Sequence, residues 1–181
     1  MDDAAIRSTP SGRILTFGVG PSVKVKSDTM VDDKTAHLQS EIKRLAAMLN
    51  AEPVKVGVLL TNDDLNIFID DGGKYHYSYW ERGRPNFDRV GELDDVLYWY
   101  AQGIAHDIGS GYSATNSAPN RDFRISLWAR QYEALNQLNP HWAKRWVRET
   151  ADKLRGWGRE EDVELLPNIP ERDASPDPDL R

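Results

Sequence analysis

The chain has 181 residues and a formal net charge of −6, long enough for one domain with tails that buries roughly two thirds of the surface its unfolded form exposes. It contains no cysteine, which excludes disulfides, thiolate zinc sites and a cysteine nucleophile. No apolar run approaches the roughly 20 residues of a membrane span, and Met1 to Pro10, acidic at Asp2 and Asp3, does not resemble a signal peptide. A soluble, cytoplasmic protein is expected.

Residues 1–30 read as an N-terminal extension. The first eleven have no periodicity and are expected to be disordered. Arg13 to Gly20 and Val23 to Lys26 alternate weakly, as one or two edge strands around the Gly18-Val19-Gly20-Pro21 break. A single domain is expected over 31–158. It opens on a helix capped by Asp32 or Asp33, with Leu38, Ile42, Leu45 and Leu49 on one face. Asn50 closes that helix and Pro53 prevents its continuation. Val54 to Leu60 is a short apolar run of the kind that forms a strand, leading through Asn62-Asp63-Asp64 into a hairpin.

The hairpin is the clearest local signal. Leu65, Ile67 and Ile69 alternate on one strand, and Tyr75, Tyr77 and Tyr79 on the next. A two-residue Asp-Gly loop would put the tyrosines on the face opposite the isoleucines. A three-residue loop, with Gly73 at positive φ, sets Ile69 opposite Tyr75, Ile67 opposite Tyr77 and Leu65 opposite Tyr79. Because a one-residue slip exchanges the faces, the hydrophobic pattern selects the second register, with Asp70 paired to Lys74 and His76 on the polar face.

Three helices follow. Asp94 and Asp95 begin the first, where carboxylates favour the positive end of the macrodipole. Leu93, Val96, Leu97, Tyr100, Ile104 and Ile108 make its stripe. Trp99 lies off that stripe, either packed under a neighbouring helix or exposed as a partner anchor. Gly109 to Asn120 reads as a loop. Arg121 to Leu138 is the second helix, with Phe123, Leu127, Trp128, Gln131, Leu135 and Leu138 as its stripe. Asn139-Pro140 restarts the chain as cap and first helical residue, and the third helix carries Trp142 and Trp146 in the core. Residues 159–181, acidic and proline-rich, read as a disordered tail. The fold class is α+β: an N-terminal helix, a small antiparallel sheet with a central hairpin, and three C-terminal helices packed on one face.

The chemistry-bearing residues form no catalytic pattern. His37, His76, His106 and His141 lack the spacing of a helical metal pair. Gly109-Ser110-Gly111-Tyr112-Ser113-Ala114 matches a dinucleotide fingerprint in letters, but it follows a helix and lacks the strand before it. Neither a phosphate-binding GxxxxGK[ST] loop nor a GxSxG elbow occurs. No enzyme, metal or cofactor is expected. Charge is segregated instead: Thr61 to Leu97 has nine acids against four bases, and Arg121 to Gly158 has eight bases against four acids. The basic helices with their tryptophans would suit nucleic acid, but two of those tryptophans fall on buried stripes and the tail is acidic. A small ligand or substrate between hairpin and helices is the other alternative.

The order Tyr75-His76-Tyr77, Glu81-Arg82-Gly83, Leu93-Asp94-Asp95-Val96-Leu97-Tyr98-Trp99, Arg121-Asp122-Phe123-Arg124 and Gln131-Tyr132-Glu133-Ala134-Leu135 resembles the immunity protein 63 family of bacterial polymorphic-toxin systems. With the helix at Leu38 to Leu49 and Asn139-Pro140-His141-Trp142-Ala143, the resemblance covers about Thr35 to Gly156. That family commonly has Tyr-Glu where this chain has Tyr112-Ser113, and Arg-Arg where it has Arg124-Ile125. The resemblance implies a cytoplasmic antidote that binds one cognate toxin domain without catalysis or cofactor. An acidic surface would suit a toxin with a cationic groove, such as a nuclease. The candidate toxin-binding residues are Asp63, Asp64, Asp70 and Asp71, with Trp99 as anchor. Tyr75, Tyr77, Glu81, Arg82, Asp94, Asp122 and Arg124 form the structural motif. Of these, Glu81, Arg82, Asp122 and Arg124 are expected to tie hairpin to helix through ion pairs, the alternative being direct contact with the toxin.

Overall fold

The computed structural model describes residues 25–58, 60, 64–116 and 120–169. The elements are α1 (Val25–Met48), β1 (Asp64–Ile69), β2 (Tyr75–Glu81), β3 (Arg84–Gly91), α2 (Leu93–Asn116), α3 (Phe123–Leu138), α4 (Pro140–Gly156) and the single turn α5 (Glu160–Val163). The class is α+β: an N-terminal helix, a three-stranded antiparallel sheet in the order β1-β2-β3, and then helices.

The β1–β2 register is the three-residue one, with Ile69 opposite Tyr75, Ile67 opposite Tyr77 and Leu65 opposite Tyr79. Gly73 has φ +76° and donates its N–H to the Asp70 carbonyl at 2.9 Å. Lys34 of α1 pins the same turn, donating to the Gly73 carbonyl at 3.1 Å with its ammonium over the Tyr75 ring. Ile67, Ile69, Tyr75 and Tyr77 join Leu38, Ile42 and Leu45 of α1 and Val96, Leu97, Tyr100 and Ala101 of α2 in one core. The helix-facing side of the sheet is therefore the tyrosine side.

Four expectations need correction. First, α1 starts at Val25, ahead of Asp32 and Asp33, and takes in Val25 and Lys26, which read as strand. Arg13 to Gly20 lies outside the described residues. Second, Val54 to Val58 is not a strand. It is held by side-chain amides instead: Gln39 donates to the Val54 carbonyl at 3.0 Å and accepts from the Val56 N–H at 2.8 Å. Gly57, at φ +79°, then bonds the outer side of β1 through the Ile67 carbonyl. Asn66, fully buried, holds Leu60 by both its N–H and its carbonyl.

Third, α2 does not stop at Ile108 but runs to Asn116. Glycine, serine and asparagine lower helix propensity, yet tertiary contact overrides it here. A Cβ at Gly109 would lie 2.6 Å from the Leu127 carbonyl oxygen, so glycine is what lets α3 approach this closely. Ser113 then donates to the Phe123 carbonyl at 3.0 Å. Fourth, the acidic segment is ordered at its start: α5 forms, and Leu166 and Ile169 pack on the core. Residues 170–181 lie outside the described set.

The third strand was not anticipated. Its turn, Arg82-Gly83, has φ of +50° and +76°, the pair of positive values that a two-residue type I′ hairpin requires. Arginine is a poor signal for such a turn. Every β3 residue from Arg84 to Val90 is exposed, so the strand shows no burial alternation, and Pro85 suits only an edge. A bulge between the partners of Tyr79 and Trp80 accommodates Asn86.

Gly109→Ala should lower stability by about 1–3 kcal/mol through forced separation of α2 and α3. Gly111→Ala, where a Cβ meets nothing within 4 Å, should raise it by up to about 1 kcal/mol. Urea denaturation of the two variants checks both signs.

Candidate partner-binding surface

The predicted acids fall into two groups. Asp63 lies outside the described residues. Asp64 is exposed at the first position of β1, opposite Trp80. Asp70 and Asp71 lie at the β1–β2 turn, about 20 Å along the strand at 3.3 Å per residue. One continuous acidic patch is therefore not formed.

Most of the acidic run is spent inside the molecule. Asp70 accepts from the Lys74 backbone N–H at 2.8 Å and faces His76 Nε2 at 3.3 Å. Its pKa is lowered, chiefly by the Lys74 bond and then by His76. His76 also meets Asp88 on β3 at 3.0 Å and stacks on Phe68 with ring centroids 4.5 Å apart. One imidazole thus bridges all three strands on the side away from the helices. Glu92 pairs with Lys74 at 2.9 Å. Asp71 remains exposed at the turn.

Asp94 and Asp95 do more than cap α2. Trp142 Nε1 of α4 donates to Asp94 at 3.1 Å, and Arg145 donates to Asp95 at 3.1 Å. Arg145 also binds Glu149 at 2.8 Å and covers the Tyr98 ring at 4.1 Å. Tyr98, fully buried, donates to Glu149 at 2.9 Å. Burial, then the carboxylate, raises its pKa, so it remains a donor. The acidic and basic halves of the sequence meet in this clasp between α2 and α4.

Trp99 is half-buried and packs against the edge strand, not under a helix. Its ring lies 6.1 Å from Tyr77, against Gly91 and beneath the Arg89 guanidinium at 5.8 Å. Arg89 in turn covers Phe87 at 5.3 Å, and Phe87 stacks on Tyr77 and Tyr79. Phe87 is 36% exposed. This aromatic row at the β2–β3 end was missed from the sequence because β3 itself was missed.

Beside the row, a cavity of about 410 Å³ opens between sheet and α2. Leu65, Tyr77, Ile104 and Ile108 wall it, and the exposed Glu52 and Asp107 stand at it. Tyr100 lines its floor and is 3% exposed. The Tyr100 hydroxyl faces the Val54 backbone.

The Asp122–Arg124 pair does not reach the hairpin. Asp122 caps α3 and binds Arg124 at 2.6 Å, and Arg124 reaches Asp162 of α5 at 2.7 Å. Arg159 also pairs with Asp162. The network fixes the C-terminal segment to α3, while Glu81 takes Asn86 across the β2–β3 turn at 3.4 Å. The carriers were legible, but their partner in the presumed tail was not.

Among the described residues, no group of three or more His, Asp or Glu could hold a metal ion. No helix there is long and apolar enough to cross a membrane. Residues 70–152 match the family model of immunity protein 63. The match begins at the β1–β2 turn and ends within α4, so it holds β2, β3, the α2–α4 clasp and the α3 cap. Within the match, Ser113 lies at the seam between α2 and α3, where it donates to the Phe123 carbonyl. No curated protein and no solved structure matches the chain.

Asp122 is held at a pKa of about 2, from an ordinary 3.8, mainly by its side-chain bond to Arg124 and the Arg124 N–H. A depressed carboxylate stabilises above its unfolded pKa, and that contribution is lost as pH falls through the folded value. Asp122→Ala should therefore lower the Tm at pH 7, with the gap from wild type closing between pH 4 and about 2. Thermal scans across that range check it.

Proposed function

We propose that this chain is a cytoplasmic bacterial immunity protein that binds one cognate toxin domain and blocks it without chemistry of its own. The match of residues 70–152 to immunity protein 63 carries this reading. An antidote needs a rigid surface with a few large anchors, and its scaffold needs no reactive centre. The tyrosine-faced sheet under two helices supplies the rigidity, and the half-open aromatic row supplies the anchors.

The contact surface we assign is the β2–β3 end of the helix-facing side, with Phe87 and Tyr79 as contact area and Asp64 at its rim. Asp64, opposite Trp80, alternates with Leu65 and so projects to the other face of the sheet at the end of β1, beside this row. An acidic rim here suits a toxin with a cationic groove, such as a nuclease. The Asp70–Asp71 turn, at the other end of β1, contributes to encounter through Asp71. Trp99 supports the surface from beneath by holding Arg89 and β3.

Co-expression with the toxin domain encoded beside this gene should restore growth, and purified chain should bind that domain with 1:1 stoichiometry. Growth arrest despite soluble chain would overturn the reading. Phe87→Ala should leave the Tm of the free protein nearly unchanged and weaken toxin binding by about 2 kcal/mol, mostly in dissociation. Trp99→Ala should cost about 2–3 kcal/mol of folding stability before any binding is measured. Asp64→Asn should slow association and flatten its salt dependence.

A further inference from the structure

The geometry points to the cavity beside the aromatic row as a socket for one lysine or arginine side chain of the toxin domain. This inference rests on the toxin-binding reading and deepens it. Three observations on the cavity converge.

The first is its lining. A floor and walls of Leu65, Tyr77, Ile104 and Ile108 suit an aliphatic stem, and Glu52 and Asp107 are its charged groups, with no lysine or arginine among the lining residues. His106 touches Asp107 from outside, its Nδ1 3.6 Å from Oδ1, both groups being well exposed. Long basic side chains bury their methylenes and keep the charged end among polar groups, which is the pattern this cavity offers.

The second is the Tyr100 hydroxyl. It is buried, lines the cavity and faces the Val54 backbone. A hydroxyl oxygen carries two lone pairs and can accept from an incoming ammonium or guanidinium. Burial raises the pKa of Tyr100, as it does that of Tyr77, so both hydroxyls keep their protons.

The third is Gly103, in the interior of α2. A glycine there weakens a helix, yet packing does not demand it: an added Cβ would sit 3.5 Å from the Tyr77 hydroxyl, an ordinary contact. What glycine does at this position is leave the cavity wall open. The volume of about 410 Å³ exceeds that of a single side chain, which leaves room for the loop that presents it. A neutral apolar occupant would leave the two carboxylates unused, and an acidic one would meet like charge.

The test has two arms. In the first, isotope-labelled full-length chain is titrated with n-butylguanidinium, and with n-butylurea as the neutral control, while amide shifts are followed. Saturable shifts at Gly103, Ile104 and Asp107 with the guanidinium, and at least tenfold weaker response to the urea, are expected. Equal response to both, or no response at these amides, would overturn the inference. In the second arm, toxin-domain affinity is measured for wild type, for Gly103→Leu, which plugs the socket, and for Glu52→Gln/Asp107→Asn, which keeps its shape. Each variant should lose at least tenfold in affinity. Should Gly103→Leu fail to fold, the double amide variant decides alone. Wild-type affinity in the amide variant would sink the socket and leave the immunity reading standing. If wild-type chain binds no toxin domain, the immunity reading and the inference fall together, even where the guanidinium binds.

Discussion

The register of the β1–β2 hairpin is the constraint on which the rest of the structure depends. With three residues in the turn, Ile67, Ile69, Tyr75 and Tyr77 share a face and can lie under α1 and α2. A slip of one residue in β2 would carry its tyrosines to the other side and bring His76 and Ser78 toward the helices. Gly73 makes the turn possible at positive φ, and Lys34 of α1 ties it to the core it creates. The same register sets Phe87 beside Tyr79 once β3 pairs. The aromatic row and the cavity follow from it.

Electrostatics here work first as fasteners between elements. The acidic stretch of the sequence meets Arg145 and Trp142 of α4 through Asp95 and Asp94, and His76 between Asp70 and Asp88 joins the three strands. Pairs that are partly exposed contribute modestly one by one, but shared partners such as Arg145 and Arg124 make them networks. On the sheet and at the cavity, the exposed carboxylates include Asp64, Asp71, Glu52 and Asp107.

Much of this was legible in the sequence, for identifiable reasons. The hairpin register, the α2 start at Leu93 with Asp94 and Asp95 in its first turn, the Asn139-Pro140 restart and the α+β class all rest on strong local chemistry. The misses share a cause in tertiary contact. Gly109 reads as a break until α3 is seen against it, and the acidic tail reads as disordered until Asp162 is seen between Arg124 and Arg159. Strand β3 has neither burial alternation nor a usual turn pair, so nothing marked it. Without β3, the row of Phe87, Arg89 and Trp99 could not be assembled. The acids were found, but which of them remain open depends on partners distant in sequence, as with Asp95 and Arg145.

Hydrogen–deuterium exchange of the chain, alone and mixed with the proposed cognate toxin domain, tests the central claim most directly. The account predicts new protection in Glu52 to Val54, around Leu65, from Tyr79 to Phe87, and around Gly103 to Ile108, with the α3–α4 seam unchanged. Protection confined to α3 and α4, with β3 and the cavity exchanging as in the free chain, would contradict it.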